Sequence, residues 1–186
     1  MPNANTVDRI MGAGSPAQGT KAAPTITLVT TTEKLVLDQT GATATVYAQP
    51  QAQPTSNSTS DLFKFVVRAT FKTTTGGTST SVVNIYVGSA IVSGNKLCSI
   101  TSASLATASA SGFLEAHCIW DSTTQVISGF QLAAYGAASP IAATALTNTA
   151  ISVANPQALK FCISATNGSS VTGTTFTLGE LVVEEV

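Results

Sequence analysis

The sequence is short of charge. Asp, Glu, Lys and Arg make up 9% of its 186 residues, and the formal net charge is −1; an average soluble domain carries roughly 25% charged residues. That shortage argues against a nucleic-acid binder, which needs a dense basic footprint with aromatic platforms among its cations. Here the tightest basic group is Lys64, Arg68 and Lys72, whose even spacing makes it a single stripe on one side of a strand. Wholesale disorder is excluded as well, because 44% of the residues are hydrophobic and can bury a core. A net charge near zero removes colloidal repulsion between copies, so the composition suits a protein that works packed against neighbours.

Catalytic and metal-binding groups are equally scarce. His117 is the one histidine, and no nucleophile elbow accompanies it. Glu115 lies two residues away on the same side of a strand, close enough for a side-by-side hydrogen bond rather than a catalytic dyad. Cys98, Cys118 and Cys162 are an odd number of thiols without C-x-x-C spacing. They read as free, small core groups and not as a zinc site or disulfide framework. Asp61, Glu115, Asp121 and Glu180 are the candidates for a paired-carboxylate mechanism, and each has a turn or surface explanation. Glu180, Glu184 and Glu185 form an acidic group with nothing that requires a cation, and no Gly-rich phosphate loop ends in Lys-Ser or Lys-Thr. The expectation is no catalytic residue, no cofactor and no metal.

Long apolar runs are missing too. None approaches the roughly 18 residues that span a membrane. Met1 to Ile10 lacks the leading positive charge and apolar stretch of a secretory signal, so the expected folding compartment is a cytoplasm.

What the sequence does have is Thr, Ser and alternation. Thr is β-branched and suits a pleated, half-buried surface. Residues 1–24 are punctuated by Gly12, Gly14, Pro16, Gly19 and Pro24 and read as an extended N-terminal arm. Within it Val7, Ile10 and Met11 fall at helical spacing behind Asn5 and Thr6, which predicts one amphipathic turn that docks onto a partner. Residues 25–61 hold short β-type runs at 25–29, 34–38 and 43–47, then a Pro/Gln/Ser-rich linker. From residue 62 the pattern sharpens: Phe63, Phe65, Val67, Ala69 and Phe71 alternate with Lys64, Val66, Arg68, Thr70 and Lys72. Further strands are expected around Val83–Val87, Ile91, Leu97–Ile100, Gly112–Trp120, Gln125–Tyr135, Ala145–Val153, Leu159–Ala165 and Phe176–Val183. Asp121 to Thr124 makes a hairpin turn, and Gly179 is placed to form a bulge. About eight strands at regular spacing with no long helix predict an all-β fold over 62–186, an antiparallel β-sandwich of jelly-roll type.

The strands Phe63-Lys64-Phe65-Val66-Val67-Arg68-Ala69 and Val83-Asn84-Ile85-Tyr86-Val87-Gly88 carry a resemblance. So do the Trp120-Asp121-Ser122 hairpin, Leu159-Lys160-Phe161-Cys162-Ile163, and Leu178-Gly179-Glu180-Leu181-Val182-Val183-Glu184. Over about residues 60–186 the chain resembles the small jelly-roll structural proteins of tailed bacteriophages. The resemblance implies a non-enzymatic virion protein, foremost a capsid decoration (cement) protein that binds the outer head and stabilises the shell. It implies a homotrimer whose partners are its own copies, the major capsid protein or neighbouring virion subunits, and no nucleic acid or membrane. The alternative it implies is a tail fibre or spike domain that binds a receptor or carbohydrate.

Overall fold

The structure, a computed structural model, describes residues 7–11, 25–36, 51–52, 62–74, 77–104, 109–121, 123–136, 141–147, 151–152, 159–171 and 173–186. They form strands β1 (Val7–Met11), β2 (Thr25–Leu28), β3 (Lys34–Leu35), β4 (Gln51–Ala52), β5 (Leu62–Thr74) and β6 (Ser81–Val87). The chain continues through β7 (Lys96–Thr101), β8 (Ser109–Asp121), β9 (Val126–Tyr135), β10 (Ile141–Ala145), β11 (Ile151–Ser152), β12 (Leu159–Asn167) and β13 (Thr174–Glu185). All pairings are antiparallel and build two sheets. The larger runs β1-β13-β5-β8-β9-β10, with β2 also on β13 and β11 also on β9; the smaller runs β3-β12-β6-β7, with β4 also on β12. Of the crossings between the sheets, β5 to β6, β7 to β8 and β12 to β13 lie side by side in both. This is the wrapped, jelly-roll form of an antiparallel β-sandwich.

The period-two pattern of β5 explains its place. Phe65, Val67, Ala69 and Phe71 are buried against the other sheet, while Lys64 and Lys72 on the alternate positions are exposed. Phe71 packs edge-on to Tyr135, with centroids 5.0 Å apart, and against Phe176 at 5.5 Å; Phe65 meets Phe161 across the sandwich at 5.6 Å. Each such ring removes apolar surface from water worth about 1.5–3 kcal/mol, and aromatic pairs add geometric preference. Thr73, the one polar residue on this inner row, hydrogen-bonds the Tyr135 hydroxyl, so neither polar atom is stranded in the core. Cys98, Cys118 and Cys162 are free and buried. Burial pushes all three thiols up, that of Cys162 to about 12.

The β8–β9 hairpin is closed as its sequence suggests. Asp121 Oδ1 accepts from the backbone N–H groups of Thr123 (2.8 Å) and Thr124 (3.3 Å), and Oδ2 accepts from the Thr124 hydroxyl (2.9 Å). The register of β13 against β5 shifts between Leu178 and Glu180, so Gly179 sits at a bulge; a Cβ there would come 2.8 Å from Thr70 Oγ1.

Several expectations change, among them the strand over Ala145–Val153: β10 ends at Ala145, β11 covers Ile151–Ser152, and Leu146 and Thr147 lie in neither. Val7–Met11 is not a helical turn but a strand on the edge of β13. A segment of this length is too short to repay helix nucleation, whereas an open strand edge offers it a ready ladder of hydrogen bonds. Its two-residue repeat sets position 10 on the opposite side from positions 7 and 11, so the three no longer share a face. Ile91 lies in irregular structure before a 3-10 turn at Ser93–Asn95. Nor is the sandwich confined to residues after 61, since β1 to β4 add to its sheets; β4 falls inside the expected linker. Residues 43–47 lie outside the described residues.

Candidate interaction surface

The outer face of the larger sheet gathers the exposed chemistry. Register fixes its rows. Val66 stands beside Glu184 on one side and His117 on the other, and His117 stands beside Phe130. One step along, Arg68 lies between Val182 and Glu115; a further step sets Thr70 between Glu180 and Phe113. The stripe of Lys64, Arg68 and Lys72 on β5 thus runs next to the acids Glu180 and Glu184 on β13.

These side chains are tied into one chain of contacts. His117 Nε2 is 2.6 Å from Glu115 Oε1, Arg68 Nε donates to Glu115 Oε2 at 2.8 Å, and Arg68 Nη1 lies 3.6 Å from Glu184 Oε1. The His117 ring stacks on Phe130 with centroids 4.7 Å apart and planes 7° from parallel. Burial pushes the Glu115 carboxyl up, but the hydrogen bond and charge of Arg68, with His117 beside it, outweigh this and hold it below the usual glutamate value. The bond to Glu115 correspondingly raises Arg68 and fixes its positive charge. Half-exposed ion pairs of this kind contribute little stability individually; their main effect is to order the side chains that the face presents.

Two phenylalanines remain uncovered on the same face, Phe113 at 38% and Phe130 at 40% exposure. Gly129, at φ +145°, lets the chain pass behind His117, because a Cβ there would come 1.9 Å from the His117 carbonyl oxygen. A hollow of about 260 Å³ opens between Lys64, His117, Ile119, Phe130 and Val186. A broader trough of about 650 Å³ runs between Thr70, Lys72, Ser111, Phe113, Thr177 and Gly179.

Sequence reasoning anticipated the contact between Glu115 and His117. It did not join them to Arg68 and Glu184, which come from strands distant in sequence, and it did not single out Phe130. Val7, Ile10 and Met11, expected to bind a partner, lie on the flank of this sheet, with Val7 opposite Glu184, Ile10 opposite Leu181 and Met11 opposite Glu180. Among the described residues His117 bonds to Glu115 and to no hydroxyl or thiol, and no three His, Cys, Asp or Glu side chains cluster as metal ligands.

The small sheet carries a second polar cluster, which sequence reasoning missed. Glu33 Oε1 accepts from Asn84 Nδ2 (2.7 Å), from the Tyr86 hydroxyl (2.8 Å) and from the Ser164 hydroxyl. It joins the segment before β3 to β6 and β12.

Fold and surface together define an antiparallel, jelly-roll-type β-sandwich whose larger sheet presents a mixed aromatic and ionic face. No protein-family profile matches the chain, and no curated protein matches it. Among solved structures it is similar to peanut lectin in complex with a nine-residue peptide, at 9% identity over 98% of this chain and 91% of that one, with a TM-score of 0.43. It is also similar to a protein of unknown function from Shewanella oneidensis MR-1, at 14% identity over 98% and 87% of the two chains and a TM-score of 0.37. A β-glucanase catalytic domain from Podospora anserina follows, at 10% identity over 90% and 87% and a TM-score of 0.27.

Proposed function

We propose that this chain is a non-enzymatic assembly protein, a decoration protein of a virion head, which uses the outer face of its larger sheet to hold neighbouring subunits. The observation that carries this reading is the pair of uncovered rings, Phe113 and Phe130, beside an ordered ionic row. An exposed aromatic ring next to fixed charges is the composition of a protein–protein contact, where aromatics and Arg supply most of the energy. A chain so poor in charge elsewhere gains solubility by having that face covered. Many copies docked on a shell stabilise it through repeated modest contacts.

Cosedimentation with undecorated capsids tests the reading. The protein is expected to bind saturably, and Phe113→Ser with Phe130→Ser to weaken binding at least about tenfold, the loss of about 1.4 kcal/mol or more. Absence of binding by the unaltered chain overturns the virion role. A second reading, a fibre domain that binds carbohydrate, is favoured by the trough that Phe113 lines together with Thr70, Ser111 and Thr177. A glycan array separates the two, because a decoration protein gives no signal on it.

A further inference from the structure

We propose that the outer face of the larger sheet pairs with the same face of a second copy about a two-fold axis. The inference rests on the assembly reading above and names the first partner of that surface.

Lys64, Arg68 and Lys72 line β5, and Glu180 and Glu184 line the neighbouring strand β13 on the same side. Their registers are staggered: Arg68 stands opposite Val182, midway between the two acids, and Val186 donates to the Lys64 carbonyl two residues beyond Glu184. A two-fold axis running along the strands, over the boundary of β5 and β13, sets β5 of one copy above β13 of the other. Each basic side chain then descends beside or between acids of the facing row, and each acid beside bases. A face with one row of each sign is self-complementary under that rotation and under no simple translation.

The flanking rows agree. Position 7 of β1 lies in the row of Glu184 and His117, and position 11 in the row of Glu180 and Phe113. The same rotation brings β1 of one copy over β8 of the other, with position 11 at Phe113 and position 7 at His117. Phe113, half-exposed in the single chain, thereby comes under the partner's edge strand. The net charge of −1 leaves no overall repulsion to oppose the approach.

The test is sedimentation of the full chain over a dilution series, with charge reversals at exposed Lys64 and at part-buried Glu184. The unaltered protein is expected to run as a dimer that dissociates on dilution and in high salt. Lys64→Glu alone, or Glu184→Lys alone, sets like charges against each other twice in every pair and is expected to weaken dimerisation by about tenfold or more. An equimolar mixture of the two variants is expected to recover the affinity as a heterodimer, because Glu at 64 in one copy then meets Lys at 184 in the other. Recovery by mixing cannot come from repairing a contact within one chain. A monomer at every concentration, a trimer, or a mixture no tighter than its components overturns the proposal. A chain that binds capsids while remaining monomeric sinks the pairing and leaves the decoration reading standing. One that pairs as described but ignores capsids does the reverse.

Discussion

Glu33 shows how much one side chain can tie together in a protein poor in charge. Its Oε1 accepts three hydrogen bonds, from Asn84, Tyr86 and Ser164, all buried donors on the small sheet. Asn84 in turn accepts from the Ser99 hydroxyl at 2.6 Å, so the network reaches β7. Burial, and then the bond to Glu33, pushes the Tyr86 hydroxyl well above its ordinary range, so it stays a donor. Glu33→Ala is therefore expected to cost about 2–3 kcal/mol in a urea melt, because it strands buried donors rather than merely removing a charge. Glu33→Gln keeps an acceptor oxygen and should recover part of that loss; equal stability of the alanine variant and the parent refutes the role. Nothing in the sequence announces this residue. Its partners lie 51, 53 and 131 positions away, and only the fold brings them to one oxygen.

At the scale of elements, the edges of the sheets decide whether a sandwich stays in solution. Among the described residues strand β7 pairs in its sheet with β6 alone, so its other edge is open to side chains. Gln131 of β9 closes that edge. Its side-chain oxygen accepts from the Ser99 N–H at 3.1 Å and its amide donates to the Ser99 carbonyl at 2.9 Å, as a neighbouring strand would. Thr147 N–H bonds the Leu97 carbonyl at 3.1 Å and covers the next position. Gln131→Ala opens both Ser99 groups, so a loss of about 1–3 kcal/mol is expected, with increased light scattering on concentration as bare edges pair between molecules. Unchanged scattering and unchanged stability together would rule out the guarding role. The strands themselves were largely legible, because alternation sorts β5, β8 and β12 into a wet and a dry side without reference to neighbours. Asp121 at its turn and Gly179 at its bulge were legible for the same local reason. The edge contacts were not: Gln131 looks like any polar residue in an alternating strand until β7 is placed beside it. β1 was misread because Val7, Ile10 and Met11 satisfy the helical period on their own, and the open edge of β13 that makes them a strand lies more than 150 residues further along the chain.

For the molecule as a whole, scarcity of charge concentrates its response to acid in a few carboxyls. The Glu115 carboxyl, raised by burial and lowered more by Arg68 and His117, titrates in the folded chain below its ordinary 4.5. Asp121 lies below its ordinary 3.8 because the Thr124 hydroxyl and the Thr123 N–H bond its ionised form. A carboxyl whose pKa is lower in the folded than in the unfolded chain adds stability above the unfolded value and gives it up as pH falls through the folded one. Stability from these two groups is thus full at neutral pH and declines below about pH 4.5. The expected experiment is a set of denaturant melts from pH 7 to pH 2 on the parent and on Glu115→Gln with Asp121→Asn. The double variant should be less stable at pH 7 and show a shallower fall into acid, so that the two curves converge at the lowest pH. Curves that stay parallel throughout show that neither group is bonded more strongly when folded. The same melts in added salt separate the two kinds of contact on the large sheet. Pairing between copies depends on charges brought together from separate molecules and weakens with ionic strength. The Asp121 turn is made of short hydrogen bonds within one loop and keeps its share of the acid slope.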